Sequence, residues 1–450
     1  AGPEVGARAV GFREGPFRGR PKGAHWVHGG ERNPVVGALA GLFGLSQVQV
    51  GGDDSFEGHR QRHWLFSEGR LAPELKNRSF ALFGGFSKRY VRFLTDLIRK
   101  HRHDFSNSEV WERFEASGAL EDLTESEREL LLWQHRVRSE QMFAAPMDAV
   151  GARFSNLAAA YPLTPPDDGE AEGGDSVLQG HFEGLIRHLA AGLTPRLNTR
   201  AVSVEHSPRG VLVHTSAGER LEASAVVVTV SVGVLQAGDL RFVPALPEEK
   251  RGALHRVVMG EIAKLFVRFH HGRSPLSGDP YLLTVLPGPH GQEGLIDYCI
   301  CEEAPLARCG EVLECFLGGG RIARAEALLR ESVASLRSAV AAELHALFPD
   351  LGDSDVEAVE LEAWTSSRPH VRGAWSFARV NSTSADYEAL AAPVGPVHFA
   401  GEATCRLMSS TAHGAIASGA RVAAELLRER GLRPEAGSWP LFREELLSAC

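Results

Sequence analysis

The stretch Val397 to Leu427, VHFAGEATCRLMSSTAHGAIASGARVAAELL, constrains this chain more than any other. His398, Phe399 and Ala400 read as the end of a strand, Gly401 and Glu402 as a turn, and a helix is expected from about Ala412. One face of that helix carries Gly414, Ala415, Ser418 and Gly419. Side chains this small let the helix backbone come close to a sheet or a flat ligand, and the helix N-terminus offers partial positive charge to an anion. A tightly packed terminal helix with no ligand fits the same residues.

The rest of the chain alternates between helical and strand-like patterns. From about Phe80 to Val150 apolar residues recur at three and four, as at Val91, Leu94 and Ile98, and Thr124 with Glu127 spells a capping box. Pro162 to Asp175 (PLTPPDDGEAEGGD) is loop by composition and the best candidate boundary. A helix from Phe182 to Leu193 leads into a meander, with Val202 and Val204, then Val211 and Val213, separated by turn residues. Val226 to Leu235 (VVVTVSVGVL) reads as one buried strand. Residues 261 to 316 look strand-rich, Ile322 to Leu347 like one long helix, and Val356 to Trp364 like a strand. The fold class this predicts is α/β, or α+β overall, and 450 residues allow two or three domains.

Acidic residues outnumber basic ones, 57 to 48, for a net charge of −9, the wrong sign for a phosphate backbone, so no nucleic-acid partner is expected. No apolar run is long enough to span a bilayer, so no membrane partner is expected either. The six cysteines form no CxxC pair and no even framework, which makes a reducing, cytoplasmic setting the default. Nineteen histidines include close pairs at His59/His63, His101/His103, His270/His271 and His25/His28, but none sits with carboxylates or cysteines at metal spacing, so no metal is expected.

Three further features carry candidate chemistry. Gly318-Gly319-Gly320-Arg321-Ile322-Ala323 follows a strand-like segment and opens a helix, as a dinucleotide fingerprint does, and would suit an NAD(P)-dependent dehydrogenase; a plain strand-to-helix turn explains it better, because the acidic ribose partner would fall well beyond the expected spacing of about twenty residues. Lys22 to Gly30 (KGAHWVHGG) combines small residues with His25, Trp26 and His28, either a packed Gly-rich loop or a stacking face with proton-handling groups. Lys264 lies in the strand-like IAKLFVRF, at a sheet edge with its amine in water, or buried, where it could hold a water or act as a base.

Taken together, GAHWVHG with Asn33-Pro34, the VVVTVSVGVL run with PALPEEK, the lysine of EIAKLF, the Trp364…Gly373-Ala-Trp375 segment, and FAGEAT with STAHGAIASG resemble the flavin-containing amine oxidases, most of all their polyamine and spermine oxidase branch. The resemblance implies an FAD-binding Rossmann-like domain (1–45, 176–245 and 351–430), a substrate domain of mixed sheet and helices (46–175 and 246–350), and a tail at 431–450. It implies FAD as cofactor, a small cationic amine and molecular oxygen as substrates, and hydrogen peroxide as a product. On matching positions Lys264 would hold a water near the flavin, His28 would meet the substrate amine, and Trp375 and Thr411 would flank the substrate. Gly23, Ala24, Trp26, Trp364, Glu402 and Ala412 would line the flavin, with Val202 near the adenine.

The family's opening βαβ unit with its GxGxxG turn is not among the 22 residues before Gly23, and Ser231 stands where the family usually has Pro. Two expectations follow: a partial sequence of an oxidase, or a cofactor-free relative acting as a binding or regulatory protein. Peroxisomal relatives end in a targeting tripeptide, which Ser-Ala-Cys does not match.

Overall fold

The strand Ala263–Phe269 lies inside the molecule's largest sheet, flanked by a strand on each side; Ala263, Leu265, Val267 and Phe269 make one face wholly apolar, and all but one of its residues are buried. The computed structural model describes residues 4–30, 33–51, 63–67, 69–153, 175–276, 282–286, 294–301, 310–432, 440–448 and 450. Within them, seven strands pair in the order Val356–Ala363, Ala263–Phe269, Val312–Leu317, Tyr298–Ile300, Leu282–Val285, His63–Ser67, Arg70–Leu71. Every neighbouring pair is antiparallel except Leu282–Val285 with His63–Ser67.

Period-two alternation sorts this sheet's side chains between two layers. Ala263, Leu265, Val267, Leu313, Cys315 and Leu317 point into a core shared with the helices Gly320–Glu331 and Val333–Leu347. Phe316, on the opposite face, joins a core built with the helices Pro73–Lys100, Asn107–Ala116 and Glu125–Phe143. Lys264 pairs across the ladder with Phe316, and Phe266 with Glu314, so Lys264 and Glu314 lie on that second face, diagonally apart.

Smaller sheets make up the remainder. Val226–Val228 and Val397–Phe399 run parallel, Val226 opposite Val397, with the helix Ala412–Glu429 following the second strand. The predicted meander forms Ala201–Ser207, Gly210–Thr215 and Arg220–Ala223, with Arg241–Val243 added on its edge. Asp175–Leu178 is the middle strand of a third sheet, between Trp26–Val27 and Gln47–Gly51, and its register brings His28 beside Asp175. The architecture is the expected α/β and α+β mixture of helices and sheets.

Several local expectations need correcting. The run from Val226 is a strand only to Val228; Ser231 then accepts a hydrogen bond from Val234 N and caps a short helix, Val232–Gln236. The helix expected over 322–347 is two helices broken at Ser332, which caps the second through Ser335 N. The helix at 182 ends at Leu189 rather than Leu193. Gly318–Gly320 joins Val312–Leu317 to a helix, but that strand has antiparallel neighbours on both sides, so no parallel βαβ unit exists there for a dinucleotide, and the NAD(P) reading falls. Instead, Arg321 turns inward onto Glu140 and Asp297.

The cysteines also pair, contrary to the sequence reading: Cys299 with Cys315 across adjacent strands and Cys405 with Cys450. Strand register and chain ends create these pairs, and neither is visible as spacing. The boundary loop before Asp175 and His59 lie outside the described residues. Among the described residues no helix is long and apolar enough to cross a membrane, and no cluster of metal-ligating side chains forms.

Candidate active site

A cavity of about 820 Å³ lies where the large sheet, the loop at 23–28, the C-terminal end of the helix Glu125–Phe143 and the turn at 400–413 converge. Ligand pockets are typically about 300–1,000 Å³, so this one has room for a large organic group. Lys264, His28, Trp375, Thr411, Gly23, Ala24, Trp26, Trp364, Glu402 and Ala412 all line it. Val202 does not; it sits half-buried on the meander strand Ala201–Ser207, away from the cavity.

Lys264 is buried rather than at a sheet edge, because its strand is flanked by a strand on each side. Its Nζ lies 2.6 Å from Glu314 Oε1 and donates to the carbonyl of Gly23 at 3.0 Å and of Pro21 at 3.4 Å. The Phe316 ring faces the ammonium at 5.3 Å. A lysine expected to hold a water therefore has its hydrogens engaged by the protein.

His28 Nδ1 is 3.1 Å from Asp175 Oδ1, a consequence of the strand register described above. His413, in the first turn of the helix Ala412–Glu429, also lines the cavity and is almost fully buried. Burial, reinforced by the charge of nearby His28, pushes the His413 imidazole down to about 3, so it is neutral at physiological pH.

The Gly401 turn is organised around Glu402. This buried carboxylate accepts from Ser376 Oγ at 2.6 Å, Ser376 N at 3.3 Å, Ser410 N at 2.9 Å and Arg8 Nη1 at 3.1 Å. Ser410 is held at φ +67°, a left-handed conformation rarely adopted outside glycine. Thr411 then caps the helix, its Oγ1 accepting from Gly414 N at 3.0 Å and donating to Met408 O at 2.7 Å. Trp375 is oriented by a bond from Nε1 to Met142 O at 2.9 Å, and the Trp364 ring is covered by the Arg368 guanidinium at 5.2 Å.

Two glycines test whether a flavin fits here. A Cβ on Gly401 or Gly419, both in the lining, would meet nothing within 4 Å, so the backbone there faces open space that a flat ring can occupy. Ala24, Ala412 and Ala415 keep the same walls thin, while Trp26 and Trp364 add flat surfaces. The residues present suit the group. Gly23 serves another purpose: a Cβ there would stand 1.8 Å from the Arg8 carbonyl, so its bare backbone is what lets residues 8 and 23 pack together.

Sequence reasoning missed Arg8, Asp175, Glu314 and His413. Arg8 and Glu402 are 394 positions apart, and Glu314 reaches Lys264 only through strand pairing, so no local spacing announces them.

The profile of the flavin containing amine oxidoreductases matches residues 1–427. Over 444 residues the chain is 27% identical to polyamine oxidase 3 of Oryza sativa subsp. japonica, covering 95% of this chain and 82% of that protein. It is 30% identical over 280 residues to histone demethylase-like protein A of Aspergillus fumigatus, covering 57% of this chain but only 25% of that much longer protein. A solved structure of putrescine oxidase bound to putrescine superposes with a TM-score of 0.69 at 16% identity, over 95% of this chain and 92% of that one, a likeness of fold. With the profile matching nearly its whole length, the chain belongs to the flavin containing amine oxidoreductases.

Proposed function

We propose that this chain oxidises a polyamine (spermine, spermidine or an acetylated derivative) with FAD. The observation that carries the reading is the convergence on one cavity of every residue drawn from the resemblance except Val202. The similarity to a polyamine oxidase over 95% of the chain supports it. The residue ranges given above for an FAD-binding and a substrate domain are part of the same proposal.

Bound flavin would accept hydride from the carbon beside the substrate nitrogen and pass its electrons to O₂, so that amine, O₂ and water give aldehyde, amine and H₂O₂. Gly23, Ala24, Trp26, Trp364, Glu402 and Ala412 would hold that flavin. His28, its imidazole oriented by Asp175, meets the substrate amine. Trp375 and Thr411, each fixed by a backbone carbonyl, confine the reacting carbon. The aromatic walls exclude water, which favours the neutral amine that hydride loss requires.

Peroxide production by the FAD-supplied protein, measured against spermine, spermidine, N1-acetylspermine and a simple monoamine, tests this. Turnover of one of the first three in preference to the monoamine supports the reading. If the protein retains FAD and consumes none of these amines, the reading is wrong.

A further inference from the structure

Beneath the cavity wall, three titratable side chains from distant segments meet at one oxygen atom. Glu314 Oε1 is 2.6 Å from Lys264 Nζ and 3.6 Å from His25 Nδ1, and all three side chains are at least nine-tenths buried. No backbone or hydroxyl donor among the described residues reaches the Glu314 carboxylate. Burial opposes its ionisation, but the charge of Lys264, then that of His25, overcomes this and holds the group down at about 2. It is a carboxylate kept ionised by its two neighbours alone, and therefore sensitive to the charge of each.

The two neighbours differ in what they can do next. Lys264 has three hydrogens, and Glu314 with the carbonyls of Gly23 and Pro21 accounts for them. The Lys264–Glu314 pair is electrically neutral. His25 lines the cavity and stacks on Trp26 with ring centroids 4.7 Å apart, and an imidazole is the side chain that can gain and lose a proton near neutral pH. The His181 imidazole also packs against it, edge-on at 5.5 Å.

We propose that Glu314 is a positioning residue that makes Lys264 a fixed cation, and that His25 is the group through which this wall takes up and releases protons. The wall then carries one positive charge when His25 is protonated and none when it is neutral. A substrate ammonium that must lose a proton before oxidation has an acceptor there: its N–H bond breaks as an N–H bond forms on the imidazole. That last step rests on the proposed amine oxidation; the charge relationship among the three residues does not.

The test is a histidine-ring NMR titration of the protein as isolated, with the His25 resonance assigned by its loss in His25→Asn. An opposite charge at this distance is worth about 1–3 pH units. Glu314→Gln should therefore lower the His25 midpoint by about that much and Lys264→Met should raise it, opposite signs that a purely structural role would not produce. If Lys264→Met does not fold, because it strands the carboxylate, Lys264→Met with Glu314→Gln restores neutrality and should return His25 close to its wild-type midpoint. Midpoints that stay put, or move the same way in both variants, overturn the proposal. In turnover, the acid limb of the pH profile should follow His25, to lower pH in Glu314→Gln. A limb that stays fixed while His25 moves overturns the proton-exchange role. A protein that oxidises no amine defeats the proposed function, while the titration still decides the triad.

Discussion

Glu402 holds Ser410 in place: its Oε2 accepts the Ser410 N–H at 2.9 Å across a turn in which Ser410 adopts φ +67°. The same carboxylate binds Ser376 and Arg8, so one side chain ties three segments together at the cavity rim. Glu402→Ala leaves those donors without their acceptor inside the protein. Losing a buried, charge-assisted network of this kind costs about 3 kcal/mol or more. Denaturant unfolding should show a loss of that order, and a change under about 1 kcal/mol would remove Glu402 from this role.

Gly419→Leu should separate folding from ligand retention. The position is helical and exposed and a Cβ there meets nothing within 4 Å, so the substitution removes the helical penalty of glycine, about 1 kcal/mol, and its side chain projects from an open stretch of backbone. The account expects a thermal midpoint at or above wild type together with loss of bound flavin. Retention of flavin by the folded variant would place the ring elsewhere.

Gly23→Ala should do the reverse. Its Cβ would overlap the Arg8 carbonyl and press on the Trp364 ring at 3.0 Å, so residues 8 to 10 must move. Both stability and flavin content should fall, by more than about 2 kcal/mol for the former. A variant as stable as wild type would show that the approach of these two segments is not required.

His413 predicts a slope in stability with pH. Its folded pKa lies near 3 against an ordinary 6.5, so between those values the unfolded chain binds the proton and the folded chain does not. The resulting destabilisation is absent above about pH 6.5 and grows as pH falls, by about 2 kcal/mol between pH 7 and pH 5. Glu314 is depressed from 4.5 to about 2, and its contribution is lost only below that window. Urea unfolding of His413→Gln at the two pH values should therefore show a difference smaller by about 2 kcal/mol than in wild type. An unchanged difference would contradict a neutral, buried His413.

Legibility in the sequence followed the range of the interactions. The Thr124–Glu127 capping box formed as read, because both partners lie within one turn. The meander from Ala201 and the helix at Ala412 were equally local. Ser231 and Ser332 were misread inside longer apolar patterns, although each is a good cap whose side chain starts a helix. Lys264 could be seen as a candidate, but whether it faced water depended on which strands flanked it. Glu314, Asp175 and Arg8 acquire meaning only through contacts made across the chain.

The visible absorption spectrum of the purified protein supplied with FAD, followed by anaerobic addition of spermine and then N1-acetylspermine, tests the central claim most directly. The account predicts a retained flavin band that is bleached by at least one of the two amines. A protein that binds no flavin, or whose flavin band neither amine bleaches, would contradict it.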